Sequence, residues 1–303
     1  MASALRRSGG PLSLVAPAAA PVLLYTRVLR HFVWMRGLEV GLLQAAPFLG
    51  AYLAGFEPGG WSVARLGLLL AGSTALTAHV FVFNDWAGYD GQESVRVNGQ
   101  GAITRDQTGR LAFGLLVLAA AILAAVGVAA VVLGAAIALL SVLYSGSSRL
   151  GKGTPGAASL NHLVGGALLF LLGYTMVRTV DARGVALGLF FGLVFAAGHL
   201  NQEIRDYDGD RAEGIRTFAV AHGRTQGFLL SLGLFTVAYA LIIWLAAVGS
   251  APEILLGSVV AWVLQVGWSL QALERGLGLE TALWMQRRYR VLFALVGLAM
   301  LLR

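Results

Sequence analysis

The chain has 303 residues, of which 57% are hydrophobic and 12% charged. Soluble domains carry about 25% charged residues, so this composition excludes an ordinary soluble domain and predicts an all-α integral membrane protein. The absence of cysteine excludes disulfides, thiolate nucleophiles and cysteine metal sites. The net charge of +7 is compatible with nucleic acid, but its distribution (below) favours a membrane lipid as the partner and no nucleic acid.

The first 30 residues form a separate region. Arg6 and Arg7 precede the apolar stretch 12–24, which is interrupted by prolines and followed by Arg27 and Arg30. One interpretation is a signal peptide. We favour a retained interfacial or partly disordered arm over residues 1–30, followed by one transmembrane domain over residues 31–303.

Nine apolar stretches in the rest of the chain have about the length that a membrane-spanning helix needs. We therefore expect a bundle of nine transmembrane helices around a central cavity. The predicted spans are approximately 33–55, 61–83, 110–127, 129–147, 158–177, 183–200, 225–247, 252–272 and 286–302.

Basic residues orient this topology. Eighteen of the 22 Lys and Arg residues fall in the N-terminal region, in the loops after spans two, four, six and eight, or at the span ends that adjoin them. Lys and Arg are enriched in cytoplasmic loops. We expect the N-terminus and these loops to be cytoplasmic, in the cytoplasmic membrane of a prokaryote.

The densest polar run of the chain, residues 201–216, follows span six and holds five of the 15 carboxylates. Gln202, Asp206 and Asp210 have i, i+4, i+8 spacing, which places them on one face of a helix that continues from span six. Two carboxylates one turn apart can provide oxygen ligands to Mg²⁺. With the i, i+4, i+8 spacing, Asp208 points away from the face that carries Asp206. The alternative to a metal site is a helix end whose acids pair with neighbouring arginines.

A second acidic segment follows span two. Asn84 and Asp85 lie where this span meets water, and Asp90 follows in the loop. The segment is either a second set of metal ligands or a helix C-terminus that ends at Gly88.

Basic and phenolic side chains occur near both segments. Tyr144, Arg149 and Lys152 follow span four, and Arg105 precedes span three. Arg and Lys suit phosphate oxygens, but each is also explained by the bias of cytoplasmic loops towards positive charge. His79, His162 and His199 lie in or near spans, where we expect hydrogen-bonded packing residues.

These motifs resemble the UbiA superfamily of intramembrane prenyltransferases. The segment from Asp206 to Val220, with Asp210, Gly214 and Thr217, is similar to the second Asp-rich motif of that family and its continuation. The stretch from Tyr144 to Lys152 is similar to a segment that the family associates with diphosphate. The first motif departs from the family pattern, because Gly88 and Gln92 stand where the family has acids.

The resemblance implies a Mg²⁺-dependent transfer of a prenyl group from a polyprenyl diphosphate donor to a hydrophobic or aromatic acceptor inside the membrane. It implies catalytic roles for Asp85, Asp206 and Asp210, and diphosphate binding by residues near the two motifs. The implied metal ligands are Asn84, Asp85, Asp90, Gln202, Asp206 and Asp210, and the implied diphosphate ligands are Arg105, Tyr144, Arg149 and Lys152.

Two other interpretations stay open on the sequence. The altered first motif is compatible with a terpene cyclase of this superfamily, or with another transferase that uses a polyprenyl phosphate. Acidic clusters beside membrane spans also occur in non-enzymatic transporters and lipid-binding proteins.

Overall fold

A computed structural model of the protein describes residues 36–88, 104–146 and 153–302, together with Val33 and Gly151. Every regular element in these ranges is a helix. The interior of a membrane has no water to bond backbone N–H and C=O groups. A long apolar stretch therefore folds there as a helix, which pairs these groups internally. The predicted arm over residues 1–30 lies outside the described residues.

The described helices follow one another with short connections. A short 3₁₀ helix, Glu253–Gly257, precedes α10. In chain order the α-helices are α1 (36–43), α2 (Ala45–Leu53), α3 (Gly60–Ala87), α4 (Arg105–Val126), α5 (Val128–Gly146), α6 (Ala157–Tyr174), α7 (Ala182–Ala212), α8 (Phe218–His222), α9 (Arg224–Ala247), α10 (Ser258–Arg275) and α11 (Leu279–Ala299).

Seven helical segments of the described chain are long and apolar enough to cross a membrane: α3, α4, α5, α6, α7, α9 and the segment Glu253–Arg275. The predicted first span corresponds to the two shorter helices α1 and α2, which are separated by a turn at Gln44. The predicted ninth span overlaps α11, whose first half carries arginines. The all-helical architecture is therefore confirmed, and the count of nine spans stays a prediction.

The predicted break between spans three and four is confirmed at Gly127. This residue separates α4 from α5. Its φ of +147° is a backbone conformation that residues with a Cβ rarely adopt. The guanidinium of Arg65 donates to the carbonyl of Val126 at 2.8 Å and so ties the start of α3 to this turn.

Glycines allow helix backbones to approach closely. A Cβ on Gly173 of α6 would lie 1.8 Å from the carbonyl oxygen of Pro47, and a Cβ on Gly50 of α2 would lie 2.2 Å from that of Phe170. In lipid, no hydrophobic driving force acts between helices. Small residues at such crossings let the backbones approach closely, and the resulting van der Waals packing stabilises the contact. These two contacts fix α2 against α6.

The polar end of α7 shares one end of the bundle with the end of α3, the end of α5 and the starts of α4, α9 and α11. We call it the Asp-rich end; it carries Asn84, Asp85, Tyr144, Asp206 and Asp210. The opposite end includes Arg183, whose Nε donates to the carbonyl of Ser250 at 2.7 Å.

Candidate active site at the Asp-rich end

Helix α7 extends without interruption through the polar run as far as Ala212, so the predicted continuation of span six is confirmed. Gln202, Asp206 and Asp210 therefore occupy successive turns of one helix face. Gln202 and Asp210 are half-buried, and Asp206 is exposed. Two carboxylate groups and one amide thus follow the helix outward from the apolar core.

Arginines neutralise the neighbouring carboxylates of this run. Arg205 binds Asp206 through two hydrogen bonds, of 2.7 Å from Nε and 2.6 Å from Nη2. Asp208 pairs with Arg224 at 2.5 Å and leaves 79% of its side chain exposed. Asp208 is thus engaged by the start of α9, in agreement with the prediction that it points away from the Asp206 face.

Glu203 fixes the segment that follows the run. Its side chain is buried, and its Oε2 accepts the backbone N–H of Ala219 at 3.1 Å. Ala219 lies in the first turn of α8, where backbone N–H groups have no partner within the helix. The carboxylate of Glu203 therefore holds the start of α8 against α7 and fixes the return of the chain after Asp210.

The first acidic segment occupies the last turn of α3. This helix ends at Ala87 with Gly88 as its C-cap, so the interpretation as a helix terminus is correct, although it does not exclude a metal role. The hydroxyl of Ser145 on α5 donates to Oδ1 of Asn84 at 3.2 Å. Nη2 of Arg36 on α1 donates to Oδ1 of Asp85 at 3.1 Å.

A buried polar cluster connects α5 and α7. The phenol oxygen of Tyr144 lies 3.4 Å from Nε2 of His199, and the His199 ring stacks on His162 with centroids 3.9 Å apart. Nδ1 of His199 lies 3.3 Å from Oε1 of Glu203. Both of these atoms are buried without a hydrogen-bond partner among the described residues, so the pair is in contact but misaligned for a hydrogen bond.

The two acidic segments meet through α5. Ser145 contacts Asn84 on α3, and the adjacent Tyr144 contacts α7. Asp206 and Asp210 follow His199 on α7, about two and three turns further along the helix. The structure thus brings Asn84, Tyr144, Asp206 and Asp210 to the same end of the bundle.

Arg105 is the first residue of α4 and also lies at this end. Its guanidinium is 4.9 Å from the centre of the Trp86 ring, two residues beyond Asn84. The Trp86 indole in turn packs beside Gly109, where a Cβ would approach Nε1 to 2.8 Å. The other predicted ligands Asp90, Arg149 and Lys152 lie outside the described residues.

The donor atoms suit a hard divalent cation. The predicted ligands on α3 and α7 present only carboxylate and amide groups, and Mg²⁺ is typically bound by one or two carboxylates plus substrate phosphates. No group of three His, Cys, Asp or Glu residues among those described is arranged as a closed metal site. The residues fit a Mg²⁺ that shares its coordination with a phosphorylated ligand better than one held by protein alone.

Three residues at this end were not predicted as site residues: Arg36, His199 and Glu203. His199, Glu203, Asp206 and Asp210 have i, i+4, i+7, i+11 spacing, which places all four on one helix face. This spacing was a usable sequence signal. The contact of Arg36 with Asp85 spans 49 positions in the chain and has no local signal.

Comparison with known proteins places this geometry in context. A digeranylgeranylglyceryl phosphate synthase from Haloquadratum walsbyi (strain DSM 16790 / HBSQ001) is 33% identical over 94 residues, which are 30% of this chain and 32% of the relative. The match thus spans about a third of that relative's length.

Solved structures match over most of the chain. A digeranylgeranylglyceryl phosphate synthase structure has a TM-score of 0.70 and 16% identity, covering 93% of this chain and 98% of its own. A UbiA homolog from Archaeoglobus fulgidus bound to GPP and Mg²⁺ has a TM-score of 0.66 and 18% identity, covering 92% and 99%. The model of the UbiA prenyltransferase family matches residues 56–293, and the chain belongs to this family.

Proposed function

We propose that the protein transfers a prenyl group from a polyprenyl diphosphate to an aromatic or lipid-like acceptor within the membrane, with Mg²⁺ as cofactor. The observation that carries the proposal is the convergence of α3, α5 and α7, which collects Asn84, Tyr144, Asp206 and Asp210 at one end of an apolar bundle. Such a site receives a charged head group while the neighbouring helices receive an apolar tail.

The relatives support the same chemistry. Homologs from Archaeoglobus fulgidus have been solved with GPP or DMAPP and Mg²⁺, which are small prenyl diphosphates and the expected cation. The digeranylgeranylglyceryl phosphate synthase relative favours a lipid-like acceptor.

The chain's own groups have separable roles. Asn84, Asp85, Asp90, Gln202, Asp206 and Asp210 would hold the metal. When bound, Mg²⁺ would neutralise the charge that builds on the diphosphate as its C–O bond to the prenyl carbon breaks. Asp85, Asp206 and Asp210 are the residues on which turnover depends most in this proposal.

Basic and phenolic groups complete diphosphate binding. Arg105, Arg149 and Lys152 supply positive charge to the phosphate oxygens, and Tyr144 supplies a hydrogen bond. The C–O bond electrons leave with the diphosphate, the acceptor nucleophile attacks the resulting allylic cation, and the proton that the acceptor loses is taken up by the diphosphate or by solvent. The apolar helices keep water away from this cation, which water would otherwise capture as an alcohol.

The proposed placement in the cell follows from the basic loops. The Asp-rich end faces the cytoplasm of a prokaryote, where Mg²⁺ and the prenyl diphosphate donor are available, and residues 31–303 act as a single transmembrane domain.

The proposal is tested with purified protein in lipid bilayers. The protein is incubated with geranyl, farnesyl and geranylgeranyl diphosphates and a panel of phenolic and glycerophosphate acceptors, with Mg²⁺ or with EDTA. We expect acceptor-dependent diphosphate release only with Mg²⁺. Failure of every donor to release diphosphate would contradict the proposal and favour a transporter or lipid-binding role.

A terpene cyclase is the second candidate, because Gly88 replaces an acid of the first motif and caps α3 instead. In a cyclase, a double bond of the prenyl substrate itself attacks the allylic cation, so no acceptor is needed. Mass spectrometry of products formed without acceptor distinguishes the two: a cyclic hydrocarbon or alcohol indicates the cyclase.

A further inference from the structure

A second polar concavity lies outside the Asp-rich site, where α9 begins and α10 turns into α11. It is a surface cavity of ≈480 Å³. Its lining consists of Arg224, Thr225, Arg275, Gly276, Leu277, Gly278, Leu279, Glu280 and Thr281. None of these residues is used in the proposed prenyl transfer.

Arg275, which lines this cavity, shares the indole ring of Trp284 with a second guanidinium, that of Arg288. Arg275 lies 4.6 Å and Arg288 lies 4.1 Å from the centre of the Trp284 ring. Arg288 is also 5.6 Å from the centre of the Trp268 ring. Stacking on an aromatic face orients a guanidinium but leaves its N–H edge available for an anion.

Neither arginine is neutralised within the described residues. The ion pairs found there involve other basic groups, and Arg275 and Arg288 form none within 4.0 Å. Glu274 and Glu280 are the nearby acids in sequence, and both are exposed to solvent. Among the charged groups that line the cavity, Arg224 pairs with Asp208, Glu280 is the one acid, and Arg275 forms no ion pair with a described residue.

The backbone adds to this positive character. Gly278 is the N-cap of α11 and provides no side-chain hydrogen bond to the first turn. The N–H groups at the start of a helix carry partial positive charge. Glycines at positions 276 and 278 keep this part of the lining free of side chains.

Exposed leucines lie on the two helices that meet at the cavity. Leu270, Leu279 and Leu283 are 55%, 54% and 36% exposed, on the two helices that carry Trp268 and Trp284. Tryptophans are enriched at the level of lipid head groups. An amphiphile could therefore place its anionic group at the arginines and its chains along these leucines.

We infer that the cavity between α9, α10 and α11 is a binding site for the head group of an anionic phospholipid. Arg275 in the cavity lining binds the phosphate, Arg288 adds positive charge from the same Trp284 ring, and the acyl chains pack on the exposed leucines of α10 and α11. The site is separate from the donor diphosphate site and does not depend on catalysis.

The experiment measures lipid affinity with the full-length protein by native mass spectrometry in detergent. Phosphatidylglycerol and phosphatidylcholine with the same acyl chains are titrated separately. The test variant is Arg275→Gln/Arg288→Gln. The matched control is Arg287→Gln/Arg290→Gln, which removes the same charge at exposed positions of α11 that contact no described indole ring.

We expect wild-type protein and the control to bind phosphatidylglycerol more tightly than phosphatidylcholine. In the test variant the ratio of the two affinities should fall at least about fivefold. Equal losses in both variants, or no loss in either, would overturn the site. A competition on wild-type protein does not depend on the folding of a variant. Inorganic phosphate should not displace the lipid at equal concentration, and displacement would show that the site takes free phosphate instead.

Discussion

The phenol oxygen of Tyr144 lies 3.4 Å from Nε2 of His199, across the contact between α5 and α7. Because His199 is buried and packed on His162, its ring cannot turn freely, and it restrains the direction of the Tyr144 hydroxyl. Glu203, one turn along α7, contacts the other ring nitrogen and anchors α8. The position of the proposed diphosphate ligand Tyr144 is thus coupled to the fold of the second acidic segment.

Replacement of His199 tests this coupling. We expect His199→Leu to lower kcat by about two- to tenfold with little change in the donor KM, since one hydrogen bond is lost. His199→Gln retains an amide near the phenol and should keep more activity. Steady-state diphosphate release measures both variants.

A double-mutant cycle distinguishes this positioning role from general damage. If His199 acts through Tyr144, then His199→Leu adds little to the loss already caused by Tyr144→Phe. Fully multiplicative losses would show that the two residues act independently.

Arg36 is expected to compete with metal for Asp85, because it holds the carboxylate at 3.1 Å. Arg36→Gln should tighten Mg²⁺ binding by up to about fivefold, the range expected for a partly exposed ion pair. Calorimetric titration of Mg²⁺ measures the effect without turnover.

Arg178→Gln is the control for the change in net charge, since Arg178 is exposed after α6 at the opposite end of the bundle. Weaker or unchanged Mg²⁺ binding by the Arg36 variant would exclude the competition.

Gly173 is expected to be essential for the crossing of α2 and α6. A Cβ at this position would lie 1.8 Å from the carbonyl oxygen of Pro47, so Gly173→Ala should destabilise the protein by about 1–3 kcal/mol or more. Thermal unfolding in detergent measures this loss.

Gly165 on the same helix provides the control, because a Cβ there meets nothing within 4 Å. Gly165→Ala should leave the unfolding temperature unchanged or raise it, since alanine favours helix more than glycine. Equal behaviour of the two variants would argue against the close crossing.

The sequence predicted the elements whose signals are local. The spacing of Gln202, Asp206 and Asp210 correctly indicated that α7 continues past its apolar part, and the break at Gly127 separated α4 from α5. The spacing of residues along the chain was sufficient for these features because a helix depends on near neighbours in the chain.

Contacts between distant helices were not predictable in the same way. His199 was expected to be a packing residue, and its stacking on His162 agrees, but its contact with Tyr144 depends on how α5 meets α7. The pairing of Arg36 with Asp85 requires the packing of α1 against α3 and has no signal in the sequence. The first span was predicted as one helix, whereas a turn at Gln44 divides it.

The most direct test of the account compares three aspartates of one helix. Asp206→Ala and Asp210→Ala remove carboxylates of the proposed metal face, whereas Asp208→Ala removes one that lies off this face and pairs with Arg224. The measurement is Mg²⁺-dependent diphosphate release by each purified variant in lipid bilayers, with circular dichroism to confirm folding. The account predicts that Asp206→Ala and Asp210→Ala abolish release while Asp208→Ala keeps most of it; full activity of folded Asp206→Ala and Asp210→Ala would contradict it.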